Sequence, residues 1–244
     1  MPADRRTGRF RPTLWPSAIA APALIVLLGL GTWQIQRLEW KGDLIATRGA
    51  ALAAPPIELP LADAELAPLD HRRVRVSGRF LHDLEFYLLP RFRDGRVGLH
   101  VVTPLQRTAG PIVLIDRGWV PESARAPGAR AAGQARGTVT VEGVARTSSP
   151  HNAFTPRNDA PGNQWFWIDI PAMAEHAGLA LQPVFVEAGP AANAGGLPLG
   201  GQTRIDLPNN HLGYAVTWYA LAAALVAIYV IFHMRRPRGG RRAG

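Results

Sequence analysis

A chain of 244 residues has room for one ordinary domain with membrane segments, or at most two small domains. Its 47% hydrophobic content leaves soluble and membrane classes open, whereas the lack of any cysteine excludes disulfides, CxxC redox pairs and thiolate metal sites. The formal net charge of +9 lies almost wholly in two tails, Arg5, Arg6, Arg9 and Arg11 at one end and Arg235, Arg236, Arg238, Arg241 and Arg242 at the other, so the residues between them carry no basic stripe of the kind nucleic acid requires.

The first element is the uncharged run from Leu14 to Ile35, with Trp15 and Trp33 near its ends. That is the length and the aromatic belt of a membrane-spanning helix. The run exceeds a usual signal-peptide core, and no small-x-small cleavage pattern precedes Gln34-Ile35-Gln36-Arg37, so we read an uncleaved anchor. Lys41 to Ala54 continues as a helix. Strand signals follow. Apolar residues alternate in Arg73-Val74-Arg75-Val76-Ser77-Gly78-Arg79-Phe80 and in Thr138-Val139-Thr140-Val141-Glu142-Gly143-Val144. Glu85 to Arg91, Gly98 to Gln106, Ile112 to Val120, Gln164 to Ile168 and Val184 to Ala188 have strand composition, and Asp94-Gly95 marks a hairpin turn. Pro171 to Ala177 reads as a short helix opened by proline, while Pro121 to Gly137 and Ala188 to Gln202 read as loops. The last element is a second apolar run, Leu212 to Met234, followed by the arginine-rich tail.

These elements predict a membrane α + β protein, two transmembrane helices flanking a mainly antiparallel β domain of barrel or sandwich type. The expected boundaries are a basic tail at 1–13, a helix at 14–35, the β-rich domain at 36–210, a helix at 211–234 and a basic tail at 235–244. Basic tails at both ends place both termini in the cytoplasm and the β domain on the other side. The few residues before Leu14 leave little room for a mitochondrial presequence, so the expected location is a bacterial inner membrane with the β domain in the periplasm.

Several patches, in order, resemble the Surfeit-locus family. They are Leu30-Gly31-Thr32-Trp33-Gln34-Ile35-Gln36-Arg37-Leu38-Glu39-Trp40-Lys41, Val76-Ser77-Gly78-Arg79-Phe80, Gly98-Leu99-His100-Val101-Val102-Thr103-Pro104-Leu105, Val113-Leu114-Ile115-Asp116-Arg117-Gly118-Trp119-Val120-Pro121, Gln164-Trp165-Phe166-Trp167-Ile168-Asp169, and Asn209-Asn210-His211-Leu212-Gly213-Tyr214-Ala215-Val216-Thr217-Trp218-Tyr219. Each patch alone is weak, but the ordered series between two spans is specific. The resemblance implies a cytochrome c oxidase assembly factor, acting with the haem-bearing subunit of the oxidase and with haem a synthase, whose bacterial members bind haem a. It implies no turnover chemistry, in keeping with the absence of a GxSxG elbow, a Walker loop or an HExxH motif.

His211 stands one residue before the second apolar run. By itself an imidazole there is either an interfacial hydrogen-bonding group or a functional one. The resemblance implies that it is the haem-iron ligand, and it is the strong nitrogen donor expected at the outer membrane edge. Helical spacing puts Tyr214, Ala215 and Trp218 on its face, with Ala215 leaving space for a macrocycle and Trp218 stacking on it; the other reading of Tyr214 and Trp218 is an interfacial aromatic belt. Arg37 suits either a propionate or lipid headgroups. His233 lies about 33 Å beyond His211 along a helix and reads as a cytoplasmic interface residue. His82 and His100 read as structural, Asp116 and Arg117 as a local charge pair, and Trp119 as either structural or a partner contact. Three functions compete: a haem a chaperone, a haem-independent scaffold, and a small membrane enzyme or transporter component, the last disfavoured by spans with so little ionisable content.

Overall fold

The computed structural model describes residues 12–148, 154–203 and 207–234. The arginines of both tails lie outside them, Arg5, Arg6, Arg9 and Arg11 as well as those after Met234. The chain divides into two compact units, residues 1–46 with 206–244, and residues 47–205.

The first unit is a pair of helices. Helix α1 runs Leu14–Ala53, 40 residues, past the expected end at Ile35 and through the stretch read separately as helical from Lys41. At ~1.5 Å per residue it is about 60 Å long, twice the ~30 Å hydrocarbon thickness, so its charged second half from Arg37 onward extends beyond any membrane it crosses. The second long helix, called α3 below to keep chain order, runs His211–Met234, 24 residues, about the length one crossing needs.

Their pairing follows from a seven-residue repeat that the hydropathy of these uniformly apolar runs hides. Thr13, just before α1, and Ser17, Ala20, Leu24, Leu27, Gly31, Gln34, Leu38 and Lys41 are among the less exposed positions at this helix, and His211, Ala215, Trp218, Ala222, Leu225, Tyr229 and His233 are among those of α3. Spacings of three and four residues make a seam of the left-handed coiled-coil kind. Small residues let the backbones approach: Gly31, Ala215 and Ala222 are buried, and a Cβ on Gly31 would meet the Tyr219 ring at 2.9 Å. Polar rungs cross the seam. Ser17 Oγ is 2.5 Å from Tyr229 Oη, Thr32 Oγ1 is 3.1 Å from Tyr219 Oη, and Asn209 Nδ2 donates to Leu38 O at 3.2 Å. Each such bond contributes only about 0.6 kcal/mol in a bilayer, so no single rung decides the pairing.

The second unit is the β domain. Its strands are β1 (Ile57–Glu58), β2 (Arg73–Phe80), β3 (Phe86–Arg93), β4 (Arg96–Arg107), β5 (Ile112–Pro121), β6 (Val139–Thr147), β7 (Gln164–Trp165) and β8 (Leu181–Ala188). Helix α2 (Ile170–Ala177) precedes β8. The sheet order is β1-β2-β6-β8-β5-β4-β3-β7, and an added β2–β4 pairing closes β2, β6, β8, β5 and β4 into a ring. Closure removes the edges that would otherwise invite pairing with other chains. It happens at Gly78, opposite Arg107, where a side-chain Cβ would lie 2.3 Å from Gln106 O. The pairings β2–β4, β2–β6, β3–β4, β4–β5 and β6–β8 are antiparallel, and β1–β2, β3–β7 and β5–β8 are parallel.

Alternation in β2 sends Val74, Val76 and Phe80 into the ring, where they pack with Leu105, Val113, Ile115, Ala145, Val184 and Val186. A second core on the other side of β5 joins Phe86, Leu88, Val102, Leu114 and Phe185 to Trp165, Ile168, Ile170 and Met173 under α2. Strand β5 is therefore covered on both faces, which is why it reads as a continuous apolar run instead of an alternating one. Asp169 caps α2 by accepting from Ala172 N at 3.2 Å, Pro171 lies in its first turn, and Gly178 ends it at φ 64°. The stretch 121–137 is wound into short turns at Glu122–Ala124 and Pro127–Gly133, not left as open loop.

Candidate functional site

His211 opens α3, and its Nδ1 lies 2.7 Å from Gln34 Oε1 of α1. An amide oxygen accepts a proton and does not give one, so this bond places the imidazole proton on Nδ1 and leaves the Nε2 lone pair free of any hydrogen bond among the described residues. A fixed tautomer with Nδ1–H held by an oxygen acceptor is the arrangement that supports a metal-ligating histidine. The donor thus fits a haem iron. Lys41 Nζ donates to Pro208 O at 2.5 Å, which, with the bond from Asn209 to Leu38 O, ties down the segment entering α3.

The other residues singled out from the sequence divide into two groups. Ala215 and Trp218 share the seam with His211, but Ala215 is 1% exposed, so the space its small side chain was expected to leave is already filled. Tyr214 is 58% exposed and lies off the seam, consistent with helix geometry, which rotates position i+3 to the edge of the face. Arg37 is exposed, with its guanidinium carbon 4.0 Å from the centre of the Trp40 ring and Gln34 three residues before it on the same helix. His233 is buried, with Nδ1 donating to Tyr229 O at 2.7 Å and Nε2 3.1 Å from Thr13 Oγ1, so it pairs the helices instead of facing an interface. Gln34 was missed. The seven-residue repeat that puts it on the seam is the signal that finds it.

The β domain holds a cluster of buried charge. Glu85 accepts from Arg130 Nη1 at 3.0 Å and Nη2 at 2.5 Å, with Gln134 Nε2 at 3.3 Å and Arg117 Nη1 at 3.6 Å. Burial pushes the Glu85 carboxyl up, but the Arg130 bonds and charge, then Gln134 and Arg117, bring it below its ordinary value. Burial likewise lowers the Arg117 guanidinium to about 10, against the pull of Glu85. The expected pairing of Asp116 with Arg117 does not form, because neighbours on a strand point to opposite faces. Asp116 instead meets His100 Nδ1 at 2.8 Å and accepts from Gly118 N at 3.0 Å. Trp119 is 4% exposed, and its partner-contact reading falls with that burial. His82 Nε2 lies 2.9 Å from Ala135 O. No group of three metal-ligating side chains occurs among the described residues.

Two helices long and apolar enough to cross a membrane flank a small closed β-barrel along the chain, the arrangement of a membrane protein of mixed α and β structure, and Gln34 orients His211 where the second of these helices begins. The pattern of the SURF1 family matches residues 21–223. The chain is 41% identical over 232 residues to the SURF1-like protein of Monosiga brevicollis, covering 90% of this chain and 87% of that one. It is 39% identical to Surfeit locus protein 1 of Takifugu rubripes over 80% of this chain and 88% of that one, and 39% identical to the Homo sapiens protein of the same name over 82% and 71%. This chain belongs to the SURF1 family.

Proposed function

We propose that this protein assists assembly of haem-copper cytochrome c oxidase by holding haem a at His211 until the haem-bearing subunit takes it. Haem a is then cargo and not a resident cofactor, and the protein performs no turnover chemistry. The observation that carries the reading is the Gln34–His211 bond, which prepares Nε2 as a neutral nitrogen ligand. Trp218, half-buried one heptad on, and the exposed Arg37 are the neighbouring groups for the apolar macrocycle and a propionate; Tyr214 contributes from the outer face of α3. Haem a synthase is the expected donor, the oxidase subunit the acceptor, and membrane lipid the surrounding phase.

The proposed setting is a bacterial inner membrane, with both termini in the cytoplasm and the β domain in the periplasm, argued from the basic tails. A reporter active only in the periplasm should stay silent when fused after Met234. The burial of Ala215 favours a second reading, a haem-independent scaffold that stabilises an oxidase intermediate. Deleting the gene separates the two when combined with complementation by His211→Ala. Cargo handling predicts that oxidase haem a content stays low, and the scaffold predicts that it recovers.

A further inference from the structure

The β3–β4 hairpin ends in a tip that the rest of the described chain leaves uncovered. Asp94 and Gly95 take φ 48° and φ 74°, the paired left-handed conformations of a tight hairpin turn. Just before and after them Phe92 and Val97 stand directly opposite each other, so their side chains share one face, at 68% and 58% exposure. Arg91, Arg93 and Arg96 flank this pair, and Asp94 is the one acid in the tip, 3.4 Å from Arg93 Nε.

The tip is held firmly at its base. The Trp119 indole N–H donates to Arg91 O at 3.3 Å, and the Arg96 guanidinium carbon lies 5.9 Å from the centre of that ring. Gly98, the residue after Val97, lets the strand lie against Trp119, since a Cβ there would come within 2.6 Å of the indole nitrogen. An aromatic and a branched apolar side chain are thus presented together on a rigid cantilever with a net positive rim.

We propose that this tip is a docking point for an anionic lipid surface, Phe92 and Val97 entering the headgroup layer while Arg93 and Arg96 engage lipid phosphates. Two side chains are far too little apolar surface for a stable protein interface, which needs roughly 800 Å² per partner. Interfacial lipid binding works at this scale, because a small apolar insertion and a few cations act together. The domain is also joined through the chain to helices of membrane-spanning length, so a bilayer is a surface to which it is tethered.

The natural lack of cysteine makes the test direct. The full chain carrying Val97→Cys is labelled with a polarity-sensitive fluorophore and placed in nanodiscs of phosphatidylcholine with or without phosphatidylglycerol, their acyl chains brominated. The expected result is blue-shifted emission and quenching at least about threefold stronger with the anionic lipid, falling to the neutral-lipid level with Arg93→Gln and Arg96→Gln and lost with Phe92→Asp. The same label on Gly128→Cys, in open space, reports any affinity of the dye itself for lipid. Free glycerol phosphate is expected to shift nothing. A tip label that stays in water in every disc, as it would if the tip served a protein partner, overturns the proposal, and so does equal quenching at residue 128.

Discussion

Removing the positive partner of Glu85 by Arg130→Met is the most informative perturbation of the β domain. The pair is desolvated, with side-chain exposures of 0% for Arg130 and 2% for Glu85, and Arg130 also donates to Ala124 O at 3.1 Å and Arg125 O at 3.2 Å. Methionine keeps much of the volume but leaves Glu85 with Gln134, a Thr103 hydroxyl at 3.5 Å and an Arg117 nitrogen at 3.6 Å. Breaking a buried pair from one side costs about 3–5 kcal/mol, because Glu85 loses its two shortest charge-assisted bonds and Arg117, at 3.6 Å, replaces them only in part. At about 2–4 °C per kcal/mol for a domain of this size, the melting temperature falls by about 6–20 °C. The assay is thermal loss of the β signal in circular dichroism of the full chain in detergent. Glu85 is held below its ordinary value of 4.5, so its contribution is complete above that pH and is lost as pH falls through the lower folded value. That part of the acid-stability profile should flatten in Arg130→Met. A melting temperature at pH 7 within about 2 °C of wild type would refute the claim that this pair is buried and coupled.

Gly118→Ala should destabilise the same domain by about 1–3 kcal/mol from its φ of 109° alone, and more in practice, since a Cβ there would lie 1.9 Å from Leu199 O; chemical denaturation of the detergent-solubilised chain measures it. Gln34→Leu removes the acceptor for His211 Nδ1 and should weaken haem binding about 10–100-fold while leaving the ligand in place, as a spectroscopic titration would show. His233→Ala should leave haem affinity unchanged, because His233 is spent on Thr13 and Tyr229 at the far end of the seam.

Much of the fold was legible because its signals are local. Val74, Val76 and Phe80 alternate as a half-buried strand must, Asp94-Gly95 makes the hairpin turn, and Pro171 marks the first turn of a helix that begins one residue earlier than read from the sequence. What the sequence hid is set by distant partners. The ring closes where Gly78 meets Arg107, and nothing within β2 announces it. Arg130 lies in a stretch of alanine and glycine yet is fully buried, and only Glu85, far back in the chain, explains it. At the helices the apolar runs were plain, but the seam was not, since uniformly apolar sequence masks which face pairs. His211 could be singled out, whereas Gln34, which orients it, is found only through the seven-residue spacing and the contact between the two helices.

In the proposed function His211 Nε2 is the haem ligand. The most direct measurement is a titration of the purified full-length protein in detergent with haem a, comparing the Soret band of wild type with that of His211→Ala. Saturable binding with the spectrum of a histidine-ligated haem is expected in wild type, with loss or displacement of that band in the variant while membrane insertion stays intact. Haem binding by His211→Ala with unchanged affinity and spectrum would contradict it.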